Sequence, residues 1–312
     1  MTIDDRFPML TDELRLQRLA PPDGRARVVL DTDTYNEIDD QYAVVYALLA
    51  PERIELEAIY AAPFQNDRAS SAAEGMEKSY EEILRLLERL EVPPEGLVRR
   101  GSTSFLQSID RPDENAAVTD LIERAMASPV DDPLYVVAIG AITNVTSAML
   151  LEPRIIERIV VLWLGGHALH WPHNREFNLH GDVLAAQVAL DSGVPFVRFP
   201  CAGVTTHLRT SPPEVARYVE GQGAIGDYLA EIFYEYDPTG QPGWSKVIWD
   251  IVTVAYLIDA TWTPSDIVHT PILTDQLTWS FDDSRHLMRS VNYVKRNEIF
   301  GDLFGRLAER AR

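Results

Sequence analysis

Residues 28–40 read Val-Val-Leu-Asp-Thr-Asp-Thr-Tyr-Asn-Glu-Ile-Asp-Asp, and the interpretation of the whole chain starts from them. The apolar residues at the start predict a buried strand, and Asp39 and Asp40 open an apolar stretch with helical spacing. Asp31 and Asp33 are two apart on extended chain, so their side chains point to one side. A helix N-terminus tolerates anions. The stretch therefore predicts four carboxylates gathered at one strand end.

Four carboxylates at one strand end need a cation, because like charges a few ångströms apart do not all stay ionised. Only oxygen donors lie nearby, which indicates Ca²⁺ or Mg²⁺, and a site with several carboxylates and a backbone carbonyl favours Ca²⁺. The simpler alternative is that Asp39 and Asp40 cap a helix while Asp31 and Asp33 are solvated loop acids.

Outward from this stretch, apolar runs typical of strands alternate with helical patterns. The predicted strands are residues 27–31, 54–61, 134–139, 159–164 and 194–199, and the predicted helices are residues 39–50, 69–90, 116–127, 143–152 and 182–190. This order predicts an α/β fold, an open and mostly parallel sheet flanked by helices. The active site is expected at the carboxyl ends of the strands.

We expect one domain over residues 1–312, with residues 1–25 as an N-terminal extension. Prolines and glycines between Tyr236 and Gly243 predict a mobile surface loop. Lys and Arg total 28 against 48 Asp and Glu, and the net charge of −20 repels phosphate backbones and anionic lipid. We therefore expect a small-molecule substrate, with neither nucleic acid nor membrane as partner.

Cysteine usage and the N-terminal residues bear on the compartment. Cys201 is the one cysteine, so no intrachain disulfide or cysteine-based zinc site can form. Asp4, Asp5 and Arg6 precede any apolar run, unlike the start of a signal peptide. We expect a cytoplasmic protein.

Further motifs follow the acidic stretch in order. They are Asn66 after the second predicted strand, Gly-Ala-Ile-Thr-Asn at 140–144, Gly-Gly at 165–166, Glu-Phe-Asn at 176–178 and Trp-Asp at 249–250. With Asp-x-Asp and Asp-Asp before them, these motifs resemble the nucleoside hydrolase family, the inosine-uridine preferring nucleoside N-ribohydrolases. The likeness runs from Arg27 to about Ala260.

The resemblance implies Ca²⁺-dependent hydrolysis of the N-glycosidic bond of a ribonucleoside or related N-riboside, a reaction of purine and pyrimidine salvage. It also implies a homo-oligomer, a dimer or a tetramer. The metal would bind Asp33, Asp40, Asp250 and the backbone carbonyl of Thr143, and Asp33 would be the base that activates water. The residues implied to contact substrate are Asp39, Asn66, Asn174, Glu176, Asn178 and Trp249.

The chain departs from the family pattern at three places. Five residues separate Asp33 from Asp39, against three in the family, and the longer loop could place Tyr35 over the pocket. His170 stands where well-studied members have an asparagine that contacts the substrate. The nearby Asn174 is the remaining candidate for that contact. Trp249 replaces a late histidine, and an indole has no titratable proton for a leaving group, so stacking or pocket shape is its expected role.

Local geometry adds two expectations. Glu176 and Asn178 flank Phe177, so on an extended segment both polar side chains would face one side while Phe177 packs inward. The histidines at 167, 170 and 173 are spaced closely enough to suggest a zinc site, but Pro172 interrupts any helix that would align them. We expect these histidines either to line the pocket mouth or to be ordinary loop residues.

Two other functions stay open at this point. Asp31-Thr-Asp33-Thr34 after a strand matches the nucleophile pattern of haloacid dehalogenase-type phosphatases, in which Asp31 would take the phosphoryl group. The divergent loop and Trp249 also permit a Ca²⁺-dependent ribose-binding protein without efficient catalysis.

Overall fold

A computed structural model describes residues 6–236 and 240–311. Residues 237–239 of the predicted surface loop lie outside the described residues. The strands are β1 (Ala26–Thr32), β2 (Ile54–Ala61), β3 (Val98–Arg100), β4 (Leu134–Ala138), β5 (Ile159–Leu164), β6 (Phe196–Phe199), β7 (Arg209–Thr210), β8 (Lys246–Val247), β9 (Ser265–His269), β10 (Ile272–Leu273), β11 (Trp279–Ser280) and β12 (Leu287–Val291). The helices are α1 (Asp12–Leu19), α2 (Asp39–Leu48), α3 (Ala72–Arg89), α4 (Ala116–Ala127), α5 (Thr143–Leu151), α6 (Phe177–Gly181), α7 (Val183–Asp191), α8 (Pro212–Tyr218), α9 (Gly223–Tyr236), α10 (Ile251–Ile258) and α11 (Arg296–Arg310).

The central sheet has eight strands in the order β3-β2-β1-β4-β5-β6-β12-β9. All neighbours from β3 to β12 pair in parallel, and β9 pairs antiparallel with β12. The predicted fold class is therefore confirmed. Strand order reverses between β1 and β4, and in open α/β sheets such a switch point leaves a crevice at the carboxyl ends of the strands.

Hydrophobic cores cover both faces of the sheet. Along β4, Tyr135 and Val137 pack into the core that α2, α3, α10 and α11 share, while Leu134 and Val136 pack into the core of α4, α5 and α7. A strand buried on both faces explains why the apolar runs in the sequence are continuous. Capping explains a shorter helix: α3 begins at Ala72, not at residue 69, because the Ser71 hydroxyl accepts the Glu74 N–H.

Asn144 ties the first strands to α5 at the carboxyl edge of the sheet. Its Nδ2 donates to Asp31 Oδ1 at 2.7 Å, and its Oδ1 accepts the Ser102 N–H at 2.8 Å and the Ser102 hydroxyl at 2.8 Å. All three residues are fully or almost fully buried. This amide therefore satisfies polar groups from β1 and from the segment after β3.

Replacing Asn144 with alanine is expected to lower the free energy of unfolding by about 2–4 kcal/mol, because the Ser102 N–H and Asp31 lose buried partners. Chemical denaturation of Asn144→Ala checks this. Asn292→Ala is the matched control, since that exposed amide pairs only with Asp266 at the surface and its loss should cost under about 0.5 kcal/mol. Equal stability of the two variants would contradict the assignment.

Candidate active site

Four carboxylates meet at the carboxyl end of β1. Asp33 follows that strand, Asp39 and Asp40 begin α2, and Asp250 immediately precedes α10. All four are at most 3% exposed, and ligand oxygens of Asp39, Asp40 and Asp250 lie within 4.8 Å of one another. Three of the four carboxylates predicted from the quoted stretch, Asp33, Asp39 and Asp40, therefore converge with Asp250, whereas the predicted fourth member, Asp31, is bound to Asn144 outside the cavity.

The carboxylates are only partly satisfied by the protein. Asp40 accepts the Thr32 hydroxyl at 2.5 Å, and Asp39 accepts the Trp249 N–H at 3.2 Å. Both oxygens of Asp33 and Oδ1 of Asp250 are buried with no hydrogen-bond partner among the described residues. Unpaired buried carboxylate oxygens are expensive, so this donor set fits a hard divalent cation.

Burial and mutual repulsion favour the protonated forms of the clustered carboxyl groups. Burial, and then the charges of Asp40 and Asp39, raise the pKa of Asp33 well above its usual value. The same causes, in the same order, raise the pKa of Asp250. Burial and then the charge of Asp39 raise the pKa of Asp40 to about 8.

Asp31 stands apart from the other acids. Its Oδ1 accepts the amide of Asn144, and burial raises the pKa of Asp31 to about 7. It does not line the cavity that Asp33 lines. The position of Asp31 is that of a structural carboxyl inside the sheet edge and does not suit the phosphatase nucleophile considered above.

The carboxylates open into a cavity of about 260 Å³. Its lining is Asp33, Asn36, Glu37, Asp39, Asp40, Ile139, Leu164, His167, Arg175, Glu176, Phe177, Asn178, Cys201, Ala202, Trp249 and Asp250. Most of the residues predicted to hold metal or substrate are therefore brought together, from the segments after β1, β5 and β8. Thr143, Asn66 and Asn174 are not among the lining residues.

Thr143 is the first residue of α5, and its hydroxyl donates to Asp182 at 2.7 Å. A carbonyl in the first turn of a helix points along the axis toward the C-terminus, which is away from the strand ends. Ile139, directly after β4, does line the cavity. Its carbonyl accepts Asn178 Nδ2 at 3.1 Å.

The segment Glu176 to Asn178 is not extended, which corrects the predicted local geometry. Glu176 is the N-cap of α6: its carboxylate accepts the N–H groups of Gly166, Asn178 and Leu179 at 2.8–2.9 Å. Phe177 is 42% exposed and lines the cavity, so it does not pack inward. Helix capping overrides the alternation expected of a strand because three backbone donors need one acceptor group.

Asn66 and Asn174 form hydrogen bonds to residues that line the cavity. Asn66 Nδ2 donates to Asn36 Oδ1 at 2.7 Å, and it is Asn36 that lines the cavity. Asn174 is fully buried, and its Oδ1 accepts the His167 N–H at 3.0 Å. Their predicted substrate contacts stay predictions that these positions do not favour.

In the longer loop between Asp33 and Asp39, Glu37 lies in the cavity and Tyr35 lies outside it. Glu37 lines the cavity and forms an ion pair with buried Lys246, whose Nζ is also 4.0 Å from Asp39 Oδ1. Tyr35 does not cover the pocket. Its ring lies 5.7 Å from the Arg68 guanidinium and 5.8 Å from that of Arg85, outside the cavity.

Several cavity residues were not singled out as ligands from the sequence. They are Asn36, Glu37, Ile139, His167, Arg175 and Cys201. The polar residues of the quoted loop were a usable signal for the first two. Of the three histidines expected at the pocket mouth or in ordinary loop positions, His167 lines the cavity. His170 and His173 are not among the lining residues, and the ring of His173 lies 5.6 Å from that of His167.

Comparison with known proteins bears on this site. The sequence profile of the family described as inosine-uridine preferring nucleoside hydrolase matches residues 28–296. The chain belongs to the nucleoside hydrolase family. The resemblance inferred from the sequence motifs is confirmed, and the match includes every residue predicted for the site.

Two curated relatives are ribonucleoside hydrolases. Pyrimidine-specific ribonucleoside hydrolase RihA of Klebsiella pneumoniae is 26% identical over 249 residues, 70% of this chain and 76% of the relative. Putative pyrimidine-specific ribonucleoside hydrolase RihB of Shigella boydii is 29% identical over 165 residues, 49% of this chain and 65% of the relative. The match to RihB thus spans less than two thirds of that protein.

Solved structures share the fold. A purine-preferring ribonucleoside hydrolase from Gardnerella vaginalis has a TM-score of 0.73 at 21% identity, covering 91% of this chain and 99% of that one. The plant nucleoside hydrolase PpNRh1 has a TM-score of 0.71 at 17% identity, with the same coverage. Separately, no helix within residues 6–236 and 240–311 combines the length and apolar character needed to cross a membrane.

Stability of the metal-free chain is expected to fall as pH rises from about 5.5 to 8. The folded-state pKa values of Asp31 and Asp40, about 7 and about 8, exceed the ordinary aspartate value of 3.8. Stabilisation by the protonated forms is therefore complete below the unfolded pKa and is lost as pH rises through the folded values.

Thermal melts of chelated protein at the two pH values check this expectation, and added Ca²⁺ or Mg²⁺ should raise the melting temperature more at the higher pH. Asp33→Asn removes one charge of the cluster, so it should flatten the pH dependence and reduce the effect of the metal. A chelated chain that is more stable at pH 8 than at pH 5.5 would contradict the account.

Proposed function

We propose that this chain hydrolyses the N-glycosidic bond of a ribonucleoside or a close N-riboside, releasing ribose and the free base. The observation that carries the proposal is Asp33, which lines the cavity with Asp39, Asp40 and Asp250 and whose two carboxylate oxygens are buried without a hydrogen-bond partner among the described residues. Membership in the family and the names of the RihA and RihB relatives support the same reaction class.

We assign Ca²⁺ as the metal. Asp33, Asp40 and Asp250 would hold it, and an all-oxygen set of several carboxylates is what Ca²⁺ prefers. For the backbone ligand, Ile139 is better placed than Thr143, because Ile139 lines the cavity and Thr143 does not. When bound, such a cation lowers the pKa of water and orients it for attack.

Asp33 is the candidate base. Its two free oxygens can accept the proton of the attacking water, whereas Asp39 and Asp40 each already accept a hydrogen bond. Asp33 also adjoins the backbone after β4, since a Cβ built on Gly140 would lie 3.0 Å from Asp33 Cγ. A side chain at residue 140 would crowd the base, which explains the glycine.

Asn178, Glu176 and Asp39 are the candidate groups for the ribose hydroxyls. Asn178 Nδ2 donates to the carbonyls of Ile139 and Leu164, at 3.1 and 3.0 Å. Its amide is thereby oriented, and its Oδ1 is left to accept a hydroxyl. The carboxylate of Glu176 is fixed by its capping bonds and has lone pairs to spare.

The lining suits a transition state with positive charge on the sugar. Acidic residues far outnumber basic ones: Asp33, Glu37, Asp39, Asp40, Glu176 and Asp250 against Arg175. One divalent ion offsets only part of that charge, so the cavity favours the oxocarbenium character that grows at C1′ as the glycosidic bond breaks.

Asp33→Asn is expected to lower kcat/KM by at least about 10²–10⁴-fold, because the base that accepts the water proton is lost. Release of free ribose from a panel of purine and pyrimidine nucleosides measures the effect by reducing-sugar detection. Asp283→Asn is the matched control, an exposed aspartate outside the cavity, and should retain the wild-type rate.

The same panel tests the alternatives. Binding of ribose or nucleoside without release of free sugar would support the binding protein, and hydrolysis of p-nitrophenyl phosphate would support the phosphatase. A variant Asp33→Asn with more than about a tenth of the wild-type rate would refute Asp33 as the base. The dimer or tetramer and the cytoplasmic location stay predictions.

Equilibrium dialysis of the chelated chain against Ca²⁺ is expected to show one tightly held ion per chain. Asp250→Ala should weaken binding strongly, because Asp250 Oδ1 is a buried oxygen that no other described residue hydrogen-bonds. Asp282→Ala, at an exposed carboxylate, is the control. Preferential retention of zinc, or full activity after chelation, would refute the assignment of the metal.

A further inference from the structure

His167 occupies a wall of the cavity, directly after the two glycines that follow β5. The ring is half-buried and touches two other rings edge-on, with centroids 5.9 Å from Trp171 and 5.6 Å from His173. None of the roles assigned so far uses this imidazole.

The backbone of His167 is held on both sides by buried groups. Its N–H donates to Asn174 Oδ1 at 3.0 Å, and its carbonyl accepts an Arg198 N–H at 2.7 Å and the Trp279 indole N–H at 3.4 Å. Asn174 and Arg198 are fully buried. The peptide groups on either side of the ring therefore have little freedom to move.

Arg198 is an unusual partner for a carbonyl. No carboxylate among the described residues lies within 4.0 Å of its guanidinium, so this buried cation interacts with the His167 carbonyl, the Ser290 hydroxyl at 3.3 Å and the face of Trp279. A buried charge without a counterion is costly, so its remaining contacts matter to this part of the structure. Here its shortest contact fixes residue 167.

One hydrogen bond also sets the tautomer of the ring. The Ala202 N–H donates to His167 Nδ1 at 3.2 Å. Because an amide N–H only donates, Nδ1 carries a lone pair and the proton of the neutral ring lies on Nε2. Burial, followed by His173 and Arg198, lowers the pKa of His167 to about 4, so the ring is neutral near pH 7.

His167 Nε2 consequently offers a fixed N–H donor with no partner among the described residues. The other hydrogen-bond donors of the cavity are less well preorganised. Asn178 Nδ2 already donates to two carbonyls, and Arg175 is exposed with no contact to hold its guanidinium. A donor that needs no reorganisation is what stabilises charge developing in a transition state.

Breaking an N-glycosidic bond leaves an electron pair on the base, which must be stabilised or protonated. We propose that the Nε2–H of His167 donates a hydrogen bond to the departing base. This inference rests on the proposed function. Water supplies the hydroxyl to C1′ and, through Asp33 and solvent, the proton that the base gains, while His167 keeps its own proton.

The test compares leaving groups that differ in their need for stabilisation. In His167→Ala, kcat/KM for the best nucleoside should fall about 100-fold, the order of loss for a preorganised donor, whereas p-nitrophenyl riboside should change by less than about threefold. His269→Ala, at an exposed histidine outside the cavity lining, is the control and should leave both substrates unchanged. A structural role alone would lower both rates together.

If His167→Ala fails to fold in a thermal melt, His167→Phe serves instead, because it keeps a ring of similar size and lacks the N–H. Equal losses on the two substrates, or no loss on the nucleoside, overturn the proposal. A wild-type chain that hydrolyses neither substrate overturns the proposed function as well, a pattern distinct from the failure of His167 alone.

Discussion

The desolvation of several carboxylates at one strand end is the constraint around which this chain is built. Asp33, Asp39, Asp40 and Asp250 are withdrawn from water with few protein donors to replace it. Such a cluster exists only where the backbone fixes every member and a cation can complete the site. The reversal of strand order beside β1 provides the position, because α2 and α10 can both begin at the same edge of the sheet.

Supporting polar contacts follow from the same constraint. The loop between the first two carboxylates is secured by Lys246 through Glu37, by Asn66 through Asn36, and by Arg68, which donates to the backbone carbonyls of Tyr35 and Glu37 at 3.3 and 3.2 Å. These contacts leave Asn36 and Glu37 in the cavity. The chain thus fits a loop two residues longer than the family pattern without displacing Asp39 from the cluster.

Features that are determined by residues close together in the sequence could be predicted from it. Alternating apolar runs predicted the parallel sheet, and the spacing around Asp33 and Asp40 predicted the acidic cluster, since both patterns reflect local geometry. Asn174 and Thr143 were harder, because the partners that determine their positions, His167 and Asp182, are set by tertiary packing. A motif assigns such a side chain to the site region but does not say whether it faces the ligand or supports a residue that does.

The helix-capping role of Glu176 and the role of His167 could not be predicted from the sequence, for two different reasons. Glu176 caps α6 because Gly166, ten residues away, and two nearby residues present unpaired N–H groups to it. His167 has no local signature, since a histidine after two glycines is an ordinary loop residue. Its significance comes from Arg198 and Ala202, which reach it from β6 and the segment after that strand.

The ion pair between Glu37 and Lys246 also limits how this sequence can diverge. Loss of Glu37 alone would leave a buried ammonium group 4.0 Å from Asp39, where it would compete with the ribose hydroxyls proposed for that carboxylate. Loss of Lys246 alone would add an uncompensated charge to an already anionic cavity. Each residue therefore makes the other difficult to replace. A variant that shortens the loop and removes Glu37 would therefore need a compensating substitution at Lys246, so the loop length is coupled to a residue 209 positions away.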